Sequence, residues 1–388
     1  SELNYFEEKF NDTVYDSYKF PPSNSGLKNK LKNNIVNSLV HLYSNQEGVK
    51  KLQKKMEQSE RKSAFYAHCK KILKKEKPEL LFCTNQRPLK AIAPVLAARD
   101  LGIPTCCFIF SWDNLPKGTK VIDSDYYFVW SMLMKEELLC YYPAINPGQI
   151  KVTGSPQFEQ HFNSNNIEMR EKFFQRYGLD IEKEYLCYSG DDITTSPQDQ
   201  EYLEDVAKAV GELNSQGKNL GIIFRHAPVD FSDRYDRVIH NYSNIIIPIE
   251  PAWEKKGENW NEILPTREDQ ILQTNIIAHT FMVINLGSSM VFDYASQEKP
   301  CAFINYNPKG EMLKDVGLIY NYVHFRSMPE GAVFWINDRK EIGDIIRRGL
   351  EKKDAKVVQK AKEWFNIINL NPCDNTSERI SHKIKSLI

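Results

Sequence analysis

The sequence lacks a long apolar run, a charge excess and a cysteine motif, and each absence excludes a class of protein. No apolar stretch approaches the roughly 18 residues of a membrane-spanning helix. Basic and acidic residues number 51 each, so no overall field favours nucleic acid as a partner. None of the eight cysteines has zinc-site spacing, and the visible start shows no signal peptide. We therefore expect a cytoplasmic protein with reduced, buried thiols.

The composition, with 41% hydrophobic and 26% charged residues, is typical of a soluble globular protein. A chain of 388 residues has room for two domains of about 150 residues each. Residues 25–77 read as lysine-rich helices. We predict a solvated helical face for residues 50–77, and the alternative is peripheral contact with an anionic inner membrane face.

Short apolar runs alternate with amphipathic segments from residue 79 onward. This alternation predicts parallel sheets with helices on both faces. Because the polar stretch 155–183 interrupts it, we predict an α/β protein with two Rossmann-like domains in series, facing a cleft. The predicted strands are 79–83, 106–110, 126–129, 150–152, 185–188, 220–224, 245–249, 281–284 and 301–305.

The most informative motif is the sequence Ile-Asn-Leu-Gly-Ser-Ser-Met at residues 284–290. Gly287 permits a tight turn, so Ser288 and Ser289 stand where a buried strand leads into a predicted helix, 290–296. Free N–H groups and the positive end of a helix suit a phosphate, and the hydroxyls add donors. The alternative is a serine-capped turn without a ligand.

Two strand-end loops of the first half carry further candidates. Trp112 offers a large apolar surface for a sugar ring, and Asp113 and Asn114 are polar groups at the loop tip. Asp113 is a candidate general base, although Asp-Asn after a strand also favours a plain turn. Gly154 permits close backbone approach to a ligand, and a tight turn is the alternative.

Two loops of the second half complete the set. Ser189 and Gly190 end the first strand there and can approach phosphate or sugar. Arg225 and His226 end the next strand, where such a pair can hold a diphosphate. A plain turn at Gly190 and a structural histidine are the alternatives.

Together these motifs resemble those of GT-B type glycosyltransferases over roughly residues 79–388. The second half is also similar to the CDP-glycerol glycerophosphotransferases of teichoic acid synthesis, where a Ser-Ser, Phe-Asp segment and a basic-His-Pro segment contact the donor phosphates. The residues that carry the resemblance are 152–156, 225–228, 285–289, Asp293, Lys299-Pro300 and 374–379.

The resemblance implies an acceptor-side domain at 1–160, a nucleotide-sugar-binding domain at 161–370 and a closing helix at 371–388. It implies a metal-independent enzyme without a cofactor. Such an enzyme moves a sugar from a nucleotide-sugar, with a UDP-sugar favoured, to a carbohydrate or lipid-linked hydroxyl acceptor. The implied setting is surface polysaccharide or glycoconjugate biosynthesis.

The resemblance also assigns roles to the candidate residues. Ser288 and Ser289 would bind the donor diphosphate, while Arg225 or His226 would offset the charge of the leaving group. Asp113 would take the proton of the acceptor hydroxyl.

The chain departs from the family pattern in three places. Residues 1–78 show no opening strand with a glycine-rich loop, which predicts a missing piece or a rearranged first domain. Ala227 separates His226 from Pro228. No glutamate stands clearly at the ribose position, for which Glu298 is the candidate.

Three other functions stay open from the sequence. They are a glycerophosphotransferase that uses CDP-glycerol, a sugar-nucleotide 2-epimerase, and a two-domain protein that binds a small ligand without chemistry.

Overall fold

The computed structural model describes residues 1–19, 26–257, 262–308, 315–352 and 354–388. Backbone contacts divide the chain into two compact units. Unit 1 comprises residues 1–155 and 367–388, and unit 2 comprises residues 156–366. The functional limits 1–160, 161–370 and 371–388 stay a prediction.

Unit 1 begins with helices that precede its sheet. The first is held by aromatic packing, since the ring of Phe6 is buried and lies 4.7 Å from that of Tyr141. The third is capped by Asn45, whose side chain accepts the amide of Gly48 at 2.9 Å. These helices are α1 (Glu2–Phe10), α2 (Leu27–Tyr43), α3 (Gln46–Glu60) and α4 (Ala64–Glu76).

The sheet of unit 1 has four parallel strands in chain order. A continuous apolar run buries all four residues of the second strand, as expected where helices cover both faces. The strands are β1 (Leu81–Cys83), β2 (Thr105–Phe108), β3 (Tyr126–Val129) and β4 (Ile150–Val152). The helices between and after them are α5 (Ile92–Arg99), α6 (Met132–Tyr141) and the closing α14 (Thr376–Lys385).

Unit 2 is built on a six-stranded parallel sheet. Its strands are β5 (Glu184–Ser189), β6 (Leu220–Arg225), β7 (Ile246–Ile249), β10 (Thr280–Asn285), β11 (Cys301–Ile304) and β12 (Phe334–Ile336). Its helices are α7 (Arg170–Tyr177), α8 (Asp199–Ser215), α9 (Asp236–Asn241), α10 (Arg267–His279), α11 (Met290–Ser296), α12 (Ile342–Leu350) and α13 (Ala355–Ile368). A small antiparallel pair is formed by β8 (Glu254–Lys255) and β9 (Ile263–Leu264).

The order of the strands in this sheet places its functional edge. The order is β12-β11-β10-β5-β6-β7, so the chain builds outward from β5 in one direction and from β10 in the other. In such doubly wound sheets the carboxyl ends of the two central strands form the topological switch point, where ligands bind. The loops after β5 and β10 are therefore the expected position of a ligand-binding site.

The predicted parallel sheets are confirmed, and β3, β4 and α11 have the predicted bounds. Helix α1 was not predicted, because residues 1–24 have no clear period. Strands β8, β9 and β12 were not predicted either, and β8 and β9 have only two residues each. Throughout the described ranges, no helix is both long enough and apolar enough to cross a bilayer.

Candidate functional site

The loop after β10 is fixed by a buried asparagine. Asn285 is fully buried, and its side-chain oxygen accepts the amide of Ser288 at 2.9 Å. The hydroxyl oxygen of Ser288 accepts the amide of Met290 at 3.3 Å. Gly287 has a φ of +66°, which a β-carbon would strain. Ser288 therefore serves mainly to shape this turn.

Ser289 is the open group of the loop. Its side chain is exposed, and no residue in the described part of the chain hydrogen-bonds to its hydroxyl or its amide. Helix α11 has only seven residues, so its dipole adds little. Among the serines of this loop, the donors that remain for a ligand are the hydroxyl and amide of Ser289 and the hydroxyl proton of Ser288, whose oxygen only accepts.

The loop after β5 lies beside the loop after β6. Ser189 is buried and pairs in register with Arg225, whose carbonyl accepts the amide of Gly190 at 2.9 Å. A β-carbon on Gly190 would come within 3.0 Å of the ring of Phe224 and 3.1 Å of the hydroxyl of Tyr235. Internal packing thus already requires glycine here.

Arg225 is already paired inside the protein. Its side chain and that of Asp269 are each 5% exposed, and their atoms lie 2.8 Å apart. Asp269 also accepts the amide of Ala252 at 2.8 Å and the indole N–H of Trp253 at 2.6 Å. The positive charge of Arg225 is therefore offset. Its buried Nη1 has no hydrogen-bond partner among the described residues, which leaves one donor.

His226 stands next to Arg225 at the same edge of the sheet. Its Nδ1 lies 3.2 Å from the carbonyl oxygen of Ala227, which can only accept a hydrogen bond. Its ring centre lies 5.5 Å from that of Phe224 and 5.1 Å from that of Tyr235. These contacts fix the orientation of the imidazole.

A group of acidic residues beyond β5 was missed as a unit in the sequence analysis. Asp199 accepts the hydroxyl of Tyr235 at 2.7 Å and the amide of Asp191 at 3.2 Å. Burial raises the pKa of Asp191 well above its usual range, and the charges of Asp199 and Asp192 raise it further. Burial also raises the pKa of Asp199. A carboxyl with a raised pKa therefore lies near the switch point, and in its protonated form it is a hydrogen-bond donor.

The loop after β2 in unit 1 places the predicted base in a polar network. Asp113 forms an ion pair with Lys117 and accepts the side-chain amide of Asn114 at 3.0 Å. Asn114 is 1% exposed and accepts from the side chain of the fully buried Gln86 at 3.1 Å. Trp112 is 7% exposed, so its ring does not offer the expected open stacking surface.

A second carboxyl lies near Asp113. Burial, followed by the charge of Asp113, raises the pKa of Glu137 to about 8. Glu137 lies within α6 and follows another glutamate, so the sequence carried no signal that would distinguish it. The pair has the property expected of acid–base groups, namely two carboxyls in unlike environments.

The structure does not bring two of the predicted residues to an open site. Gly154, with a φ of +84°, has its β-carbon position blocked at 3.1 Å by atoms of Arg379, Leu370 and Thr376. Packing against Leu370, Thr376 and Arg379 is thus enough to require glycine here, and a role in ligand approach stays a prediction. Glu298 is exposed and pairs with Lys362, at the opposite end of α11 from Ser289.

A buried histidine of unit 2 also has a structural role. His161 is 3% exposed, with Nε2 at 2.8 Å from Asp293 and Nδ1 at 2.9 Å from Thr274. Within the described ranges, no three His, Cys, Asp or Glu side chains are grouped as metal ligands. Independence from metal stays a prediction.

No protein-family model matches the chain, and no curated protein matches it in sequence. Solved structures do match. S. aureus MnaA with UDP is 13% identical with a TM-score of 0.52, over 84% of this chain and 79% of that one. A putative UDP-N-acetylglucosamine 2-epimerase from Listeria monocytogenes is 12% identical with a TM-score of 0.54, over 83% and 78%. The UDP-GlcNAc 2-epimerase from Methanocaldococcus jannaschii is 17% identical with a TM-score of 0.53, over 83% and 81%.

At these identities the likeness establishes the fold. The predicted class, α/β with two Rossmann-like domains of the GT-B type, is confirmed. The similarity of the second half to the glycerophosphotransferases stays a prediction.

Proposed function

We propose that unit 2 binds a nucleotide-sugar at its switch point and that the chain transfers the sugar to a hydroxyl acceptor. The observation that carries this proposal is the strand order of unit 2, which brings residues 189–191 and 285–289 to neighbouring carboxyl ends. Nucleotides bind at this position in doubly wound sheets. The open donors of Ser289 support a diphosphate there.

The charge on the leaving nucleotide would be stabilised by fixed donors more than by a free cation. Asp269 already balances Arg225, so Arg225 would contribute the N–H groups of Nη1. A protonated Asp191 can donate to a phosphate oxygen without repelling it. His226, which its neighbours hold at the same edge of the sheet, is the proposed neighbour of the leaving group. Donors fixed in advance are the effective way to stabilise developing charge.

The acceptor proton would be taken in unit 1. Asp113 remains a proposed base. Glu137, with its pKa raised to about 8, is better matched to neutral pH, because a general base works best when its pKa lies near the working pH.

The second candidate function is 2-epimerisation of a nucleotide-sugar. Two of the three structures reported above are named as UDP-GlcNAc 2-epimerases, one of them as a putative one, which favours it. Inversion at a C–H carbon needs one group to remove a proton and another to return one. The two nearby carboxyls of Asp113 and Glu137 fit that requirement as well as they fit glycosyl transfer.

Incubation with UDP-sugars in D₂O separates these functions. A glycosyltransferase should release UDP slowly to water and leave the C2 hydrogen of the remaining donor unexchanged. An epimerase should introduce deuterium at C2 and form the epimer. An unchanged nucleotide-sugar would contradict both enzymes and leave a binding protein.

The phosphate contact has its own test by calorimetry. Ser289→Ala should weaken nucleotide binding by roughly 1 kcal/mol or more, since hydrogen bonds to charged groups contribute about 1.5–3 kcal/mol. Ser296→Ala, at the other end of α11, is the matched control. Equal affinity in the Ser289 and Ser296 variants and the unaltered protein would refute the contact.

A further inference from the structure

Helix α2 presents an apolar stripe to solvent. Leu31, Ile35, Leu39 and Leu42 are 65%, 55%, 42% and 67% exposed. Their spacing of four, four and three residues places them on one face of the helix. In the part of the chain that the structure describes, each of these side chains therefore keeps at least 42% of its surface open to solvent. Four large apolar side chains exposed side by side are typical of a surface that binds a partner.

The charge of the surrounding segment points to the kind of partner. Residues 27–77 contain fourteen lysine and arginine residues against four aspartate and glutamate residues, although the whole chain is balanced. Helix α2 itself contains three lysines and no acidic residue. The apolar stripe therefore belongs to a segment with a net positive charge, and the acidic residues that balance it lie elsewhere in the chain.

We propose that α2 lies in the surface of an anionic lipid bilayer, with the stripe of Leu31, Ile35, Leu39 and Leu42 inserted among the lipids. An amphipathic helix binds such a surface through apolar burial and the attraction of lysines to anionic headgroups. Lys30 and Lys32 are exposed on the same helix and can reach the headgroups.

Two other occupants fit the observations less well. A nucleic acid would use the lysines but would gain nothing from four exposed aliphatic side chains. A second copy of this chain would bring two strongly basic segments face to face, which like-charge repulsion opposes. An anionic bilayer satisfies both the charge and the apolar stripe. The inference is independent of the proposed function.

Vesicle sedimentation of the full chain tests the proposal. We expect binding to phosphatidylcholine vesicles that contain phosphatidylglycerol and little binding to phosphatidylcholine alone. Leu31→Gln/Leu42→Gln should lower the partition coefficient at least about tenfold, because both side chains lose apolar burial. Leu89→Gln, in which Leu89 is 68% exposed elsewhere in unit 1, should leave it unchanged. Lys30→Gln/Lys32→Gln should lower it about fivefold per lysine.

Three results would overturn the proposal. The first is no binding to either kind of vesicle. The second is binding that the Leu31/Leu42 variant retains in full. The third is that light scattering shows a dimer, that the Leu31/Leu42 variant is a monomer, and that vesicle binding is absent. This result would assign the stripe to a second copy. Because every substituted side chain is exposed, circular dichroism should show unchanged folding.

Discussion

The buried pair of Arg225 and Asp269 gives a stability prediction that also decides what Arg225 is for. Each side chain is 5% exposed, and the closest atoms lie 2.8 Å apart. Asp269→Asn keeps the shape but removes the negative charge, which leaves a buried guanidinium without a counter-charge. Removing one partner of a buried ion pair costs about 3–5 kcal/mol, and we expect Asp269→Asn to fall in this range.

The partner substitution should cost less. Arg225→Met leaves the carboxylate of Asp269 with two donors, the amide of Ala252 and the indole N–H of Trp253. We therefore expect Arg225→Met near the lower end of the same range of about 3–5 kcal/mol. The double variant Arg225→Met/Asp269→Leu should cost less than the sum, because neither charge is left unpaired.

Urea unfolding followed by tryptophan fluorescence and circular dichroism measures these costs. Glu204→Gln is the control, since Glu204 pairs only with exposed side chains, at 3.2 Å with Arg237 and at 3.1 Å with Lys208, which are 71% and 51% exposed. That change should cost no more than about 0.5 kcal/mol. If Asp269→Asn unfolds within about 1 kcal/mol of the unaltered protein, the reasoning from the buried pair is refuted. Arg225 would then be free to act as the cation of the donor site.

The remaining predictions concern substitutions of Asp191, Gly154 and Glu137. The pKa of Asp191 in the folded chain lies above its ordinary value of 3.8. The stability that Asp191 contributes is therefore full below pH 3.8, and it is lost as the pH rises toward the pKa of the folded chain. Asp191→Asn should therefore gain stability relative to the unaltered protein by up to about 1.4 kcal/mol per pH unit in that window, and parallel urea curves from acid to neutral pH would contradict it. Gly154→Ala should destabilise unit 1 by about 1–3 kcal/mol, through its positive φ and the three atoms at 3.1 Å, and an unchanged melting temperature would disprove this. Glu137→Gln should abolish a change in activity near pH 8, while Glu136→Gln, at the exposed neighbouring residue, should retain it. If the pH profile of activity is unaltered in both variants, the base is another residue.

Local pattern alone was sufficient for the main elements of the fold. Buried strands are largely apolar runs, so β3, β10 and β11 stand out without any partner being known. Gly287 and the serines after it mark a strand-to-helix turn by residue type alone. Two such series of strands and helices in one chain determined the fold class.

Properties that depend on distant segments could not be predicted in this way. Asp269 lies 44 residues from Arg225, and Arg379 lies more than 200 residues from Thr153, whose carbonyl it binds. The raised pKa values of Asp191 and Glu137 arise from burial and from neighbouring charges that only folding brings together. The sequence by itself therefore determined the elements, the fold class and the loops that bear candidates. The tertiary structure decided which donors remain open, which charges are already paired and which carboxyls have a raised pKa, because desolvation and pairing are properties of the assembled chain.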